Sequence, residues 1–584
     1  MSNATDSPDE DGGMRLITCA GTGCVSSGSL DVHEALADRI ADLEDEEVEV
    51  ALQGSETEAD ADVPTAGGAH TQVSGCHGFC EEGPLVRIEP EGVLYTGVST
   101  EDVDDIVEQT VKGGDVVEDL CYHSSDNGVY TREEDIPFYR GQERVVLSNC
   151  GRIDPESIED YQDEGGYDGL ERALTRMDQD EVWQAVKDAG LRGRGGAGFP
   201  TGLKWEFAAD QDAGEKYVVA NCDEGDPGAF MDRSLVEGDP HRLVEGMAIA
   251  GYATGASTGI VFIRAEYPLA VERIQKAIED AQEAGYLGED LFGTGFDFDL
   301  EVKKGAGAFV SGEETALIKS IEGKRGMPDP RPPYPVESGL WGQPTTINNV
   351  ETLGNVPEIV RHGADWFAGI GSEDSPGTKT FAVTGDVANT GLIEVPMGIT
   401  LREAIYDVAG GVVGDEFKAV QIGGPSGGCL AEQHLDMPMT FDSLQEAGAM
   451  IGSGGLVVMD ESTCMVEVAR YFLSFTQEES CGKCPPCRVG TKRMLEILEK
   501  FTAGEATEED LERLEELSEY VADSSLCGLG KTAPTPVDTT LRYFRDEYEA
   551  HLEGECPAGE CDFAGSGGES SGTGEASEPM EGVQ

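Results

Sequence analysis

Positive charge is scarce in this sequence. Its 584 residues carry 40 Lys and Arg against 115 Asp and Glu, a formal net charge of −75. A surface of that sign repels phosphate, so no nucleic acid and no anionic lipid surface is expected as a partner. Long apolar runs are missing too. The most apolar stretch, Met247 to Ile263, is broken by glycines, Ser257 and two threonines, so no direct membrane insertion is expected. The N-terminus MSNATDSPDEDGG is polar and acidic, unlike a signal peptide. A cytoplasmic protein is the expectation, peripheral to the inner face of a membrane at most through partners. The glycine- and cation-rich segment LRGRGGAGFPTGLKW is neither the dinucleotide fingerprint G-x-G-x-x-G after a strand nor a P-loop.

Acid at this density can signal disorder. Yet hydrophobic residues make up 39% of the chain, enough for cores, and the acid is spread over almost every segment. It reads as the solvated surface of a halophilic protein, because high salt screens self-repulsion. At this length several domains are expected.

What the chain has is cysteine, fifteen in all. Without an export signal they point to metal ligation over disulfides. Cys481, Cys484 and Cys487 form C-x2-C-x2-C in ESCGKCPPCRVG, and Cys527 follows in SLCGLG. A tight turn aims three thiolates at one centre and a distant segment brings the fourth, which suits a [4Fe–4S] cube. Zinc is the rival, but its usual pattern is two separated close pairs. Near the N-terminus, CAGTGC holds Cys19 and Cys24, and SGCHGFCEEGP holds Cys76 and Cys80. Two glycine-flanked pairs suit a [2Fe–2S] rhomb, with zinc again the alternative. His77 could suggest mixed ligation, but four cysteines already suffice. Cys121, Cys150, Cys222, Cys429 and Cys464 read as buried small hydrophobes. Cys556 and Cys561 could bind metal only if a partner supplied further ligands.

Pattern divides the chain. Residues 1–13 read as disordered and 14–120 as a compact domain. In the latter, MRLITCA and VEVALQ are strand-like, LDVHEALADRIADLEDE is helical, PLVRIEPEGVLYTGV is a hairpin about Glu91–Gly92, and DDIVEQTVKGG is a closing helix. Residues 121–150 read as a polar linker. From 151 to 375, strand-like and helical segments alternate, which argues for an α/β sheet with helices on its faces. Residues 376–460 are richer in short strands, 461–553 are helical, and 554–584 form an acidic, disordered tail.

The α/β block holds the chemistry. LRGRGGAGFPTGLKW places Gly193, Gly195, Gly196, Gly198 and Gly202 beside Arg192, Arg194 and Lys204. Glycines let backbone N–H groups approach a phosphate that the cations neutralise. A plain surface loop is the competing reading. NCDEGDPGAF crowds Asp223, Glu224 and Asp226 after a strand. In GAGAFVSGEETALIKSIEG, Glu313 and Glu314 open a helix. They either cap it or one of them takes ribose hydroxyls, repelling a 2′-phosphate and favouring NAD over NADP. Asn348 and Asn349 in TTINNVET offer amides to a flavin.

These motifs resemble the flavin subunit of respiratory complex I and, more closely, the diaphorase subunits of NAD-linked hydrogenases and formate dehydrogenases. GRGGAGFPTGLKW, SGEETALI, TTINNVETL, QIGGPSGG and ESCGKCPPCRVG carry the likeness over residues 140 to 553. The resemblance implies a multidomain α/β protein. Its parts would be a Rossmann-like FMN- and NADH-binding domain, a small β-grasp-like (SLBB) domain and a helical bundle with a [4Fe–4S] cluster. The N-terminal domain resembles thioredoxin-like [2Fe–2S] ferredoxins, fused as in many such diaphorases. By resemblance, Gly193, Arg194, Gly195, Gly196 and Lys204 hold FMN, with Lys204 at its phosphate. Asn221, Asp223 and Glu224 lie beside the isoalloxazine and nucleotide. Gly312, Glu313 and Glu314 lie between flavin and NADH, with Glu314 on the ribose. Asn348 and Asn349 contact flavin, and Phe199 and Phe207 stack on or line the adenine pocket. Cys481, Cys484, Cys487 and Cys527 ligate the cube.

Three departures stand out. Asp226 replaces a glutamate of the complex I pattern, as in the soluble diaphorases. Arg331 and Tyr334 stand where that pattern has lysine and phenylalanine, and Arg331 can still neutralise a phosphate. CPAGEC resembles the start of a further ferredoxin domain, but a polar tail follows, so one exit for electrons is expected to be missing. The implied function is NADH oxidation through FMN, with single electrons leaving by iron–sulfur clusters to redox subunits of a soluble formate dehydrogenase or hydrogenase complex. The alternatives are a complex I flavin subunit and a docking adaptor without turnover.

Overall fold

The computed structural model describes residues 13–45, 68–124, 128–561 and 563. The strand-like run VEVALQ, most of the acidic loop after it, nearly all of the N-terminal segment and most of the C-terminal tail expected to be disordered lie outside the described residues.

The N-terminal domain is a four-stranded sheet. Its strands are β1 (Arg15–Cys19), β2 (His70–Ser74), β3 (Val86–Glu89) and β4 (Val93–Tyr95), in the order β2-β1-β3-β4. β1 and β2 are parallel, and β3 and β4 form the expected antiparallel hairpin. Helix α1 (Ser29–Asp45) turns Val32, Leu36, Ile40 and Leu43 into the core against Leu16 and Ile88. Spacings of three and four residues place those four on one face.

The large α/β domain is built on four parallel strands, β5 (Tyr217–Cys222), β6 (Thr258–Arg264), β7 (Asp299–Gly305) and β8 (Thr345–Asn349). Their order is β8-β5-β6-β7. Alternate residues point to opposite faces. Val218, Ala220, Val261 and Ile263 join a core with helices α3 (Pro240–Thr254) and α4 (Pro268–Glu283). Val219, Ile260, Phe262 and Ile347 meet Leu317 and Ile318 of helix α5 (Glu314–Ile321) on the other face. Both faces are covered, so the two central strands, β5 and β6, are buried through most of their length. Helix α2 (Thr201–Ala209) follows the glycine-rich loop and packs beside β8. The chain winds outward from β5 to β7 and returns to β8 on β5's other side. A crevice therefore opens at the carboxyl ends of β5 and β8, where such sheets bind ligands.

A third sheet follows: β9 (Thr378–Gly385), β10 (Gly391–Pro396), β11 (Phe417–Ile422), β12 (Gly428–Ala431) and β13 (Gly455–Asp460), in the order β10-β9-β13-β11-β12. The bundle comprises α6 (Met465–Glu478), α7 (Lys492–Thr502), α8 (Glu508–Ser524), α9 (Thr535–Tyr543) and α10 (Arg545–Leu552). Leu473, Leu498, Leu514, Val537 and Tyr548 fill its centre.

Two segments differ from expectation. The stretch read as a polar linker buries Ile136, Phe138, Val146 and Leu147. Phe138 stacks on Phe79 of the N-terminal domain with ring centroids 4.4 Å apart, and the Val146 and Leu147 N–H groups donate to the Glu394 carboxylate at 3.1 and 2.9 Å. These short apolar clusters have no period of their own, and a neighbouring sheet and domain give them a core. Residues 554–561, read as the start of the tail, lie against the bundle, with Cys556, Ala558 and Cys561 packed on its core.

Candidate functional site

The crevice at β5 and β8 gathers most of the predicted residues. Asn221, near the end of β5, pairs in register with Asn349 at the end of β8. Its side-chain N–H donates to the Gly312 carbonyl at 2.9 Å, drawing the 309–312 turn over the strand ends. Asn348 accepts from the indole N–H of buried Trp205 at 3.0 Å. Asn349 caps the next helix and donates to Asp232 at 2.5 Å.

The glycine loop closes the crevice from one side. A side chain on Gly195 would reach Asn349, its Cβ 3.1 Å from that of the asparagine. Gly196 has φ +111°, and a Cβ there would stand 2.8 Å from the Cα of Gly452 in the third sheet's loop. Gly193 is less crowded: a built Cβ would lie 3.6 Å from the Phe199 carbonyl oxygen, which accepts the Gly193 N–H at 2.9 Å. Arg194 lies on the loop, but its guanidinium is buried. It donates to the carbonyls of Pro376, Thr378 and Arg192 at 2.7, 2.9 and 3.1 Å. Burial lowers it to about 10, so it staples the loop to β9. Arg192 donates to the Gly198 carbonyl and lies over the Phe441 ring.

Lys204 is different. Its ammonium, on α2, reaches the Ile347 carbonyl at 2.8 Å and Glu314 at 3.0 Å. Glu314 also receives Arg331 at 3.0 Å. Burial would raise the Glu314 carboxyl, but Lys204 and Arg331 outweigh it and hold the group below the usual carboxylate range. Its neighbour Glu313 accepts from the N–H groups of Thr315 and Ala316. Glu313 therefore caps α5, as one reading of the pair expects, while Glu314 faces the two cations. Phe199, Phe207 and Tyr334 are each about half exposed. The short helix after Tyr334 packs on α2.

The acidic loop divides in the same way. Glu224 accepts from the N–H groups of Asp232 and Arg233. Asp226 accepts from the Ser453 hydroxyl at 2.5 Å, and burial raises it to about 6. Both oxygens of Asp223 are buried without a hydrogen-bond partner. Burial raises it to about 7, partly offset by Arg264 and reinforced by Glu266 and Glu479. Sequence pattern does not single out Trp205, Asp232, Arg264, Ser453 or Glu479. Trp205 ends the glycine-rich motif and Glu479 opens the cysteine motif without standing out in either, and the others come from segments whose own patterns are ordinary.

The four C-terminal cysteines converge. Cys481, Cys484, Cys487 and Cys527 line one cavity with Val310, Pro328 and Leu529. Val310 and Ala316 pack directly on this group, and the Phe309 N–H donates to Glu479 at 2.8 Å. The segment that carries Gly312 and Glu314 is thus also the wall of the cysteine cavity. In the N-terminal domain, the sulfurs of Cys76 and Cys80 lie 3.9 Å apart, and Cys19 is within hydrogen-bonding reach of Cys24 and Cys76. His77 turns away, with Nε2 3.0 Å from the Ser74 hydroxyl.

Comparison with known proteins gives this geometry its context. Residues 186–358 match the model of the Nuo51 FMN-binding domain, and residues 467–551 match the NADH-ubiquinone oxidoreductase-F iron–sulfur binding region. Over 422 residues the chain is 58% identical to the NADP-reducing hydrogenase subunit HndC of Solidesulfovibrio fructosivorans, covering 72% of this chain and 86% of that subunit. The chain belongs to this family of NADH dehydrogenase flavin subunits. The flavin subunit is also 47% identical over 412 residues to an NADH-quinone oxidoreductase subunit of the same family from Rhizobium meliloti, covering 70% of this chain and 98% of that one. Residues 380–430, within the third sheet, match the SLBB domain. A solved NAD+-reducing [NiFe]-hydrogenase in its H2-reduced state superposes with a TM-score of 0.64 at 33% identity, covering 92% of this chain and 84% of that one. As a member, the flavin subunit is an NADH-oxidising flavoprotein with an FMN-binding domain and a [4Fe–4S] region, of a kind that works inside multi-subunit complexes. None of its described helices is long and apolar enough to cross a membrane.

Proposed function

We propose that the crevice at β5 and β8 binds FMN with NADH above it, and that electrons leave through the adjacent cube. The carrying observation is one shared wall. Residues 309–316 bear Gly312 and Glu314 on the crevice side and pack Val310 and Ala316 on the cluster cysteines. The fit to a flavin rests on the close backbone approach that Gly195 and Gly196 permit, the Lys204 ammonium and the unpartnered carboxylate of Asp223. FMN supplies the conversion between two-electron nicotinamide chemistry and one-electron iron–sulfur chemistry.

The chain's own residues bind and orient. The N–H groups of Gly195 and Gly196, with Lys204, hold the flavin phosphate, while those of Gly193 and Arg194 are taken by the Phe199 carbonyl and the Thr352 hydroxyl. Asn221, Asp223, Asn348 and Asn349 surround the ring system and ribityl chain, with Glu224 and Asp226 bracing the acidic loop. Glu314 accepts ribose hydroxyls, Phe199, Phe207 and Tyr334 flank the adenine, and Arg331 meets a nucleotide phosphate. Arg194 and Glu313 act through the backbone they hold. Cys481, Cys484, Cys487 and Cys527 ligate the cube. Cys19, Cys24, Cys76 and Cys80 ligate a [2Fe–2S] centre; the 3.9 Å sulfur separation of Cys76 and Cys80 suits two ligands on one iron.

The setting we favour is a soluble NAD-linked hydrogenase or formate dehydrogenase complex in the cytoplasm. The 58% identity to a hydrogenase subunit and the fused N-terminal domain support it. The deciding experiment is anaerobic titration of the reconstituted flavin subunit with NADH, and separately NADPH, following flavin bleaching and dye reduction in high salt. NADH-dependent bleaching is expected. Preference for NADPH would move the reading toward the specificity in HndC's name. No bleaching by either, with flavin and iron bound, would leave a docking adaptor.

A further inference from the structure

Four side chains outside the crevice, the cube and the N-terminal cysteines meet at one point. Cys464, His551, Cys556 and Cys561 bring their ligand atoms within 4.8 Å of one another. Cys464 directly precedes α6, His551 lies in the last turn of α10, and the other two follow on the segment that lies back on the bundle. We propose that these four residues bind a single tetrahedral zinc-class ion that clasps the beginning of the bundle to its end.

The distances set the nuclearity. With Zn–S of about 2.3 Å and Zn–N of about 2.05 Å, a tetrahedron places two thiolates about 3.8 Å apart and a thiolate and imidazole about 3.6 Å apart. The Cys464 and Cys561 sulfurs are 3.7 Å apart, and each lies 3.5 Å from His551 Nε2. A polynuclear cluster would push its ligands further apart to admit bridging sulfides. Three thiolates and one imidazole around a single centre is a structural zinc set.

The surroundings orient the ligands as a metal requires. His551 Nδ1 lies 2.7 Å from the Glu547 carbonyl. A proton there leaves the Nε2 lone pair facing the sulfurs, the usual arrangement for a metal-bound histidine. Glu560, between Cys556 and Cys561, accepts the Cys464 N–H at 2.7 Å, so the last segment is registered on the first ligand through backbone as well. Glu547 accepts the Met465 N–H at 3.0 Å and pairs with Lys418 of β11 at 2.8 Å. Cys464 and His551 are almost wholly buried, which keeps solvent from two of the four ligands. By sequence alone Cys464 reads as a core residue, and Cys556 and Cys561 lack ligands unless a partner brings them. The fold supplies the missing ligands from the same chain.

The test uses the full-length flavin subunit, purified anaerobically with its flavin and iron. Elemental analysis is expected to find about one zinc per chain after extensive dialysis. Cys556→Ser and Cys561→Ser should each lose most of that zinc while keeping full flavin and iron, which shows that the rest of the chain has folded. Cobalt(II) in place of zinc should give thiolate-to-cobalt charge-transfer absorption and intense tetrahedral d–d bands, weakened in both variants. Chelation should speed amide exchange in residues 545–561 selectively. Negligible zinc in the wild type, zinc unchanged in both variants, iron at this site, or a Cys464–Cys561 disulfide in the anaerobic protein would each overturn the proposal.

Discussion

Asp223 carries the most informative charge in the crevice. Its carboxylate is buried and unpartnered, and burial raises it from 3.8 to about 7. Between those values the folded chain holds a proton that the unfolded chain has released, so this group makes stability fall as pH rises. In the flavin-free protein, Asp223→Asn should therefore stabilise the fold at pH 8 by on the order of 3 kcal/mol. The gain should vanish at pH 4, and denaturant melts at the two pH values read it directly. An equal gain at both would mean that the carboxylate is not buried as described. Glu314 makes the opposite case, a carboxylate kept ionised by Lys204 and Arg331. Glu314→Gln should raise KM for NADH about tenfold with a smaller change in kcat, since a charged hydrogen bond contributes about 1.5–3 kcal/mol. Its discrimination against NADPH should weaken as well. Steady-state kinetics with both nucleotides decides, and an unchanged KM would remove Glu314 from the ribose.

At the scale of elements, the third sheet buttresses the crevice. The backbones at Gly196 and Gly452 approach so closely that a Cβ on Gly196 would stand 2.8 Å from Gly452. Gly196→Ala adds that clash to a positive φ, a combined cost of about 1–3 kcal/mol. It should lower flavin content while leaving the cube's iron in place, as measured by flavin and iron stoichiometry. Below the loop, Lys379 on β9 is fully buried and pairs with Glu351 at 2.5 Å, just past the end of β8. Removing one member of a buried pair strands the other charge at a cost of about 3–5 kcal/mol. Lys379→Ala should thus destabilise the fold strongly, whereas Lys379→Met combined with Glu351→Leu should recover much of the loss. Thermal melts of the single and double variants test this. If the single variant melted like the wild type, the pair would not hold β9 to the helix after β8.

Over the whole molecule, the net charge of −75 is the dominant long-range force. The screening length is about 10 Å at 0.1 M salt and about 3 Å at 1 M. Melting temperature should rise steadily over that range, and sodium chloride and potassium chloride should act alike if screening is the cause. A flat salt profile would dispose of the halophilic reading. The N-terminal domain is held to the body by Thr22, which donates to Glu237 through its hydroxyl at 2.6 Å, and by Gly75 lying against Gly238. Its cysteine loop also pairs with the third sheet, Leu392 N–H donating to the Gly78 carbonyl at 2.7 Å. The N-terminal cysteine loop therefore sits against both the flavin domain and the SLBB sheet.

Much of the chemistry was legible in local spacing. A C-x2-C-x2-C triplet, a glycine run flanked by cations and a glutamate pair opening a helix are short patterns, and their physical demands are met within a few residues. Strand and helix periods likewise marked the N-terminal hairpin, α1 and the α/β alternation. Tertiary structure decided which member of each motif is free to act. Arg194 is taken up by backbone carbonyls and Glu313 by a helix end, while Lys204, Glu314 and Asp223 face the crevice. Those assignments depend on partners from distant segments, such as Pro376 and Thr378 for Arg194 and Ile347 for Lys204. The Cys464, His551, Cys556 and Cys561 cluster lay beyond reach for the same reason. Metal spacing is readable when ligands are neighbours in sequence, and here the fold closes 97 residues between Cys464 and Cys561 to bring two sulfurs within 3.7 Å.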